Sequence, residues 1–161
     1  MNRKQVNEIS NIISSMKLYC QLKDKKVARS MDLTCSELNC LKQYCESKSI
    51  SVKDLAERLN ITSGGVTRIV AALEEERLLR RDMAPDDRRG INVSLTEDGN
   101  KFVKDLKKIT IDYCKDLFEE VSEIDQDTIY NGLNLLNKIW ASKLQKDKEK
   151  FSENLSGNNN C

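Results

Sequence analysis

The chain has 161 residues, 39% hydrophobic and 33% charged, with 27 basic side chains against 26 acidic ones. That length and composition suit one domain with a real core, or a small domain with appended helices, and argue against disorder. Histidine is absent, which removes the usual general base, the commonest metal ligand and any Ser-His-Asp triad together, so no enzyme, cofactor or metal site is expected.

No apolar run approaches the roughly 18 residues a membrane-spanning helix needs. No basic and apolar leader opens the chain, so a cytoplasmic protein with no membrane partner is expected. One proline and six glycines do not suit a sandwich or a linker-rich architecture. The net charge of +1 hides an uneven distribution. Residues 1–30 carry seven Lys and Arg against Glu8 and Asp24, and residues 61–73 hold Arg68 with no acid. An electropositive face is therefore compatible with a nearly neutral total.

Val6, Ile9, Ile13, Met16 and Cys20 recur at three and four residues, one helical stripe, which the basic stretch Lys23 to Lys26 is expected to end. Thr34-Cys35-Ser36-Glu37 reads as a capping box opening a second helix, with Leu38, Leu41 and Tyr44 or Cys45 inward and an end near Ser47. Ser51 opens a short third helix with Leu55, Ala56 and Leu59 on its apolar face, and Asn60 tolerates the left-handed turn that stops it. Thr62 caps a fourth helix to about Glu76, with Val66, Ile69, Val70 and Leu73 inward.

The period then changes. Leu78 to Asp82 is one strand, and Ile91, Val93 and Leu95 alternate with polar residues as a second. Together they make a hairpin whose tip holds Pro85, Asp86, Asp87, Arg88 and Arg89. Thr96 starts a long helix through Val103, Leu106, Thr110, Tyr113 or Cys114, and Leu117. A last helix begins near Asp125 with Ile129, Leu133, Leu136, Trp140 and Leu144 on one side, and the Ser/Asn/Gly-rich tail is expected to be disordered. No internal repeat is present.

The six cysteines are Cys20, Cys35, Cys40, Cys45, Cys114 and Cys161. No C-x-x-C pair exists, which excludes a zinc ribbon or a thioredoxin-like motif on spacing. Cys35, Cys40 and Cys45 are five apart, a rotation of about 140° beyond a full helical turn, so neighbours in the series do not share a face. Reduced thiols are the expectation.

Residues 51–73 fit a helix-turn-helix. Ala56 is small where two helices must cross closely, Asn60 sits at the turn where a positive backbone angle is needed, and Val66 is the inward hydrophobe of the second helix. An ordinary helical hairpin shares that spacing, but the basic-tipped hairpin that follows makes a winged helix. From about Leu33 to Gly99 the sequence resembles the MarR family of bacterial transcription regulators. The resemblance is strongest in the run from Pro85 to Gly99, which looks like that family's wing signature: D-x-R, a strand, then L-T-x-x-G.

The resemblance implies a mainly α fold with a small β-hairpin wing, a winged helix-turn-helix flanked by N- and C-terminal dimerisation helices. Its divisions would be residues 1–30, an N-terminal dimerisation helix; 31–97, the DNA-binding region; 98–147, C-terminal dimerisation helices; and 148–161, a disordered tail. The helix from Thr62 would enter the major groove of double-stranded DNA with Thr62, Ser63, Gly64, Thr67 and Arg68 facing it. The start of that helix would bring backbone N–H groups near phosphate. Arg68 would read guanine or bind phosphate, and the sequence leaves both open. Arg89 would enter a narrow minor groove, held by Asp87, with Arg88 on the backbone. A homodimer predicts a pseudo-palindromic operator, although helices packed within one chain would also cover the apolar stripes.

Regulators of this type respond to small anionic aromatic effectors or to thiol oxidation. Cys35, in the first turn of its helix where the backbone dipole favours a thiolate, is the first candidate sensor. Cys20, Cys40, Cys45 and Cys114 fall on or beside apolar stripes and read as small hydrophobes. Peroxide-sensing members place their reactive cysteine near the start of the first helix, and Cys20 lies towards its end. Tyr19, Tyr44, Met16 and Arg29 are candidates to line an effector pocket, or equally core and surface residues. Two readings stand: a DNA-binding repressor, and a winged helix serving as a protein-interaction module. Arg68, Arg88 and Arg89 favour the first, while Glu74, Glu75 and Glu76 leave room for the second.

Overall fold

A reciprocal pair of bonds starts the first helix. The Gln5 amide donates to Asn2 Oδ1 at 2.9 Å, and the Asn2 amide donates to Gln5 Oε1 at 3.0 Å. The computed structural model describes residues 1–45, 49–83 and 91–157, with residues 45, 83 and 146–157 described by backbone alone. Helix α1 spans Arg3–Ser30 and runs straight through the lysines expected to end it. Lysine is a good helix former, and the next two residues, Val27 and Ala28, are each 1% exposed and pin the last turns into the core. The stop comes at Asp32, left-handed at φ 53, where the Leu33 amide reaches back to the Ala28 carbonyl at 2.9 Å.

Helix α2 (Cys35–Lys42) carries the expected capping box, Glu37 amide to Thr34 Oγ1 and Thr34 amide to Glu37 Oε2. It is shorter than the sequence suggested and passes into a single 3-10 turn, Gln43–Cys45. Leu38, Cys40, Leu41 and Tyr44 face the core. Asp24 of α1 meets Lys42 at 2.7 Å and so ties the two helices together.

A short strand β1 (Ser49–Ser51), not anticipated, leads into α3 (Val52–Leu59). Ser51 both ends the strand and caps the helix, accepting from the Asp54 amide at 3.0 Å. Asn60 ends α3 at φ 54, ψ 46, the left-handed conformation its side chain tolerates. Helix α4 (Ser63–Glu75) follows at once, capped by Thr62, with Val66, Val70 and Leu73 fully buried at helical spacing.

Strands β2 (Leu79–Met83) and β3 (Ile91–Leu95) form the expected antiparallel hairpin, with Leu79 opposite Leu95 and Met83 opposite Ile91. Strand β1 adds to its other side, giving the order β1-β3-β2 with Ile50 opposite Val93. The alternation in β3 overstated its inner face. Val93 is fully buried, but Ile91, at the hairpin end away from buried Leu79, is 47% exposed, and Ser94 is covered instead. Thr96 then caps α5 (Glu97–Phe118), which sends Val103 and Leu106 into the same core.

The chain divides into two units, 1–114 and 115–161, and the buried core lies wholly within the first. In the second, Ser122 caps α6 (Glu123–Gly157), accepting from the Asp125 amide at 3.2 Å, two residues before the expected start. No described side chain of α6 is buried. The helix continues past residue 147 to Gly157, into the stretch read from sequence as a disordered tail. Residues 158–161 of that tail lie outside the described residues.

Candidate nucleic-acid interface

The site begins with a close crossing. Ala56, 7% exposed on α3, lets α4 approach, and the left-handed Asn60 turns the chain in a minimum of residues. The Ile61 amide closes the turn onto the Ala56 carbonyl at 3.1 Å. This geometry leaves α4 with one face fixed in the core and the other outward.

Thr62, Ser63, Gly64, Thr67 and Arg68 are all exposed on that outward face, so the structure brings these five candidates together. Thr62 Oγ1 accepts from the Gly65 amide at 3.2 Å, and the Thr67 hydroxyl donates to the Ser63 carbonyl at 2.9 Å. Arg68 pairs with no acid among the described residues. First-turn amides have no partner inside a helix, and the space beside Gly64 is empty to 4 Å. The end is thus open to an anion, with Lys53 beside it in a groove also lined by Glu57, Asn60 and Ile61.

The base of the wing is fastened to this helix by a pair the sequence reading missed. The Arg81 amide donates to Glu74 Oε1 at 3.0 Å, and Arg81 Nε lies 3.3 Å from Glu74 Oε2. Arg81 Nη2 also donates to the Thr67 carbonyl at 3.1 Å. Glu74 is thereby paired with a base, which leaves Glu75 and Glu76 as exposed acids at the far end of α4. An acid seven residues ahead of a base, across a helix–strand break, is a faint signal in sequence. The wing-tip candidates Asp87, Arg88 and Arg89 lie outside the described residues.

Cys35 is the first residue of α2 and is exposed. Cys40 is fully buried, and burial, with the Glu37 charge second, pushes its thiol up to about 12. Cys20 and Cys114 are exposed, not buried small hydrophobes. Cys20 also lies ten residues short of the end of α1, because the helix outruns the lysines. The side chain of Cys45 and all of Cys161 lie outside the described residues. Tyr44 is removed from the effector candidates. It is 4% exposed and its hydroxyl donates to the Val93 carbonyl at 3.3 Å. Burial first, then Cys40, raises its pKa, while Arg58 opposes the shift. Tyr19, Met16 and Arg29 stay on the surface. Among the described residues no group of three Cys, Asp or Glu could hold a metal ion, and no helix is long and apolar enough to cross a membrane.

Two short helices meeting at a tight turn, the second exposing a capped N-terminal face and followed by an antiparallel hairpin, define a winged helix-turn-helix. The sequence profile of the MarR family matches residues 33–91. The HTH-type transcriptional regulator YdgJ of Bacillus subtilis is 30% identical over 110 residues, covering 66% of this chain and 67% of that protein. The organic hydroperoxide resistance transcriptional regulator of Bacillus subtilis is 31% identical over 83 residues, covering 52% of this chain and 53% of that one. Among solved structures, a MarR transcriptional regulator from Methanosarcina mazei superposes with a TM-score of 0.70 at 25% identity, covering 84% of this chain and 98% of that one. The chain belongs to the MarR family and is a DNA-binding transcriptional regulator, not an enzyme.

Proposed function

We propose that the protein is a cytoplasmic homodimeric repressor that binds a pseudo-palindromic operator in double-stranded DNA and releases it on a chemical signal. The observation that carries this reading is the outward face of α4, where Thr62, Ser63, Gly64, Thr67 and Arg68 stand together while Val66, Val70 and Leu73 are fixed in the core. In this reading the α4 face enters the major groove. Asp87 holds Arg89 for the minor groove, and Arg88 meets the backbone. Residues 31–97 carry DNA binding, and residues 1–30 and 98–147 carry dimerisation.

The signal is a small anionic or aromatic effector, or oxidation at Cys35. Exposure of Cys35 at a helix N-terminus supports the thiol route. Cys40, with its thiol held protonated near neutral pH, takes no part in it.

The test is fluorescence anisotropy on the duplex upstream of the protein's own gene, titrated in reductant, after mild oxidation, and across a salt series. Tight binding that falls steeply with salt is expected. Arg68→Ala and Arg89→Ala should each weaken it. A flat salt dependence, or full affinity in Arg89→Ala, would remove the wing from the interface. Collapse on oxidation that Cys35→Ser prevents supports the thiol route, and indifference to oxidation leaves the small effector.

A further inference from the structure

Strand β2 is an edge of the sheet, and an edge strand exposes backbone donors on one side. At Arg81 that donor is taken by a helix. Glu74 uses one carboxylate oxygen for the Arg81 amide at 3.0 Å and the other for Arg81 Nε at 3.3 Å. The guanidinium then continues along α4 to the Thr67 carbonyl at 3.1 Å. Thr67 and Glu74 are seven residues apart, so one guanidinium links the backbone of one helical turn to a side chain that starts about two turns further on. Both side chains are only about a third exposed, 34% for Arg81 and 29% for Glu74, so water screens the pair less than it screens a fully exposed one.

We propose that Glu74 and Arg81 are positioning residues for DNA binding: a clamp that fixes the base of the wing on the recognition helix, so that both reach DNA as one rigid body. The inference rests on the DNA-binding reading above. A wing free to swing would lose that freedom on binding, and the loss would subtract from affinity. The clamp orders the wing base beforehand. It also ties the wing directly to Thr67, a residue of the outward face.

Electrostatics and positioning predict opposite signs for one substitution. Removing an acid from a DNA-binding helix should strengthen binding if charge alone counts. Removing half of the clamp should weaken it. The experiment lets the full-length wild-type protein select duplexes from a random-sequence pool, then measures affinity for the selected duplex by anisotropy. Glu74→Ala, Glu74→Gln, Arg81→Ala and the double alanine variant are compared.

The expected result is affinity about tenfold weaker for Glu74→Ala, as when a charge-assisted contact is lost. Glu74→Gln, which keeps an acceptor for the Arg81 amide, should recover part of it. The double variant should bind no worse than Arg81→Ala, because the two residues act as a unit. Amide hydrogen exchange should speed up in the peptide covering β2 and stay unchanged in α2, which separates a released wing from an unfolded protein. Unchanged or tighter binding in Glu74→Ala, additive losses, or unchanged exchange in β2 would overturn the clamp. A wild-type protein that selects no duplex at all would overturn the DNA-binding reading itself, and the positioning role with it.

Discussion

The carbonyl oxygen of Leu78 stands where a side chain on Gly99 would have to go. The contact is part of a knot around Thr96. The Thr96 amide donates to the Leu78 carbonyl at 3.1 Å, and its hydroxyl donates to the Arg77 carbonyl at 2.6 Å. The same hydroxyl oxygen accepts from the Gly99 amide at 2.9 Å and so caps α5. The run Leu95-Thr96-Glu97-Asp98-Gly99 is therefore a joint that holds the end of α4, the start of β2 and the start of α5 together. Its glycine is required by a close backbone approach and not by its backbone angle, since among the described residues no glycine has positive φ.

Gly99→Ala is expected to cost about 3 kcal/mol of stability, the upper end of overpacking penalties, because backbone and not a movable side chain is in the way. Urea unfolding monitored by circular dichroism checks it. A loss within experimental error would mean the joint can open without cost.

Gly64 gives the opposite expectation. Its surroundings are empty to 4 Å, so an added methyl meets nothing in the free protein. Gly64→Ala should raise stability by about 0.5 kcal/mol through helix propensity. If the outward face of α4 meets DNA closely, the same methyl should weaken operator binding. Higher melting temperature with lower affinity is the expected pair of results, and unchanged affinity would take Gly64 out of the interface.

The buried thiol of Cys40 makes a pH prediction. Its pKa is raised from 9.0 to about 12, so between those values the folded chain keeps a proton that the unfolded chain has lost. The unfolded state then binds fewer protons, and stability falls as pH rises. Stability should be level below about pH 9 and then decline by up to about 1.4 kcal/mol per pH unit from this group. Cys40→Ala should start lower, by the cavity it leaves, and decline less steeply. A thiol reagent at neutral pH should label Cys35 quickly and Cys40 only as the protein unfolds. Rapid labelling of Cys40 in the folded protein would contradict its burial.

Features carried by local chemistry were legible in the sequence. The Thr34 capping box, the Ser51 and Thr62 caps, the left-handed Asn60 and the stripe of Val66, Val70 and Leu73 each depend on a few neighbouring residues. Features decided by distant contacts were not. Ser49–Ser51 is too short to alternate and is a strand only because Ile50 pairs with Val93. Helix α1 outlasts its lysines because Val27 and Ala28 have a core to enter. The outward face of α4 followed from periodicity, whereas the Glu74–Arg81 pair needed a strand folded back onto a helix.

The apolar side of α6 also makes a prediction. Ile129, Leu133, Trp140 and Leu144 recur at helical spacing and are between 37% and 63% exposed in the single chain. A second copy covering that face would remove a liability that monomers rarely tolerate. Sedimentation should then give twice the 18.4 kDa of one chain. Leu133→Asp should shift the protein towards monomer, since the loss of a buried leucine, roughly 2 kcal/mol, is incurred on both partners. If one dimer reads two half-sites it binds DNA far more tightly than one chain does, so the same variant should lose DNA affinity although Leu133 lies on α6, outside the helix-turn-helix and the hairpin. A wild-type protein sedimenting as a monomer, or a Leu133→Asp monomer that holds the operator as tightly, would break that link between α6 and DNA binding.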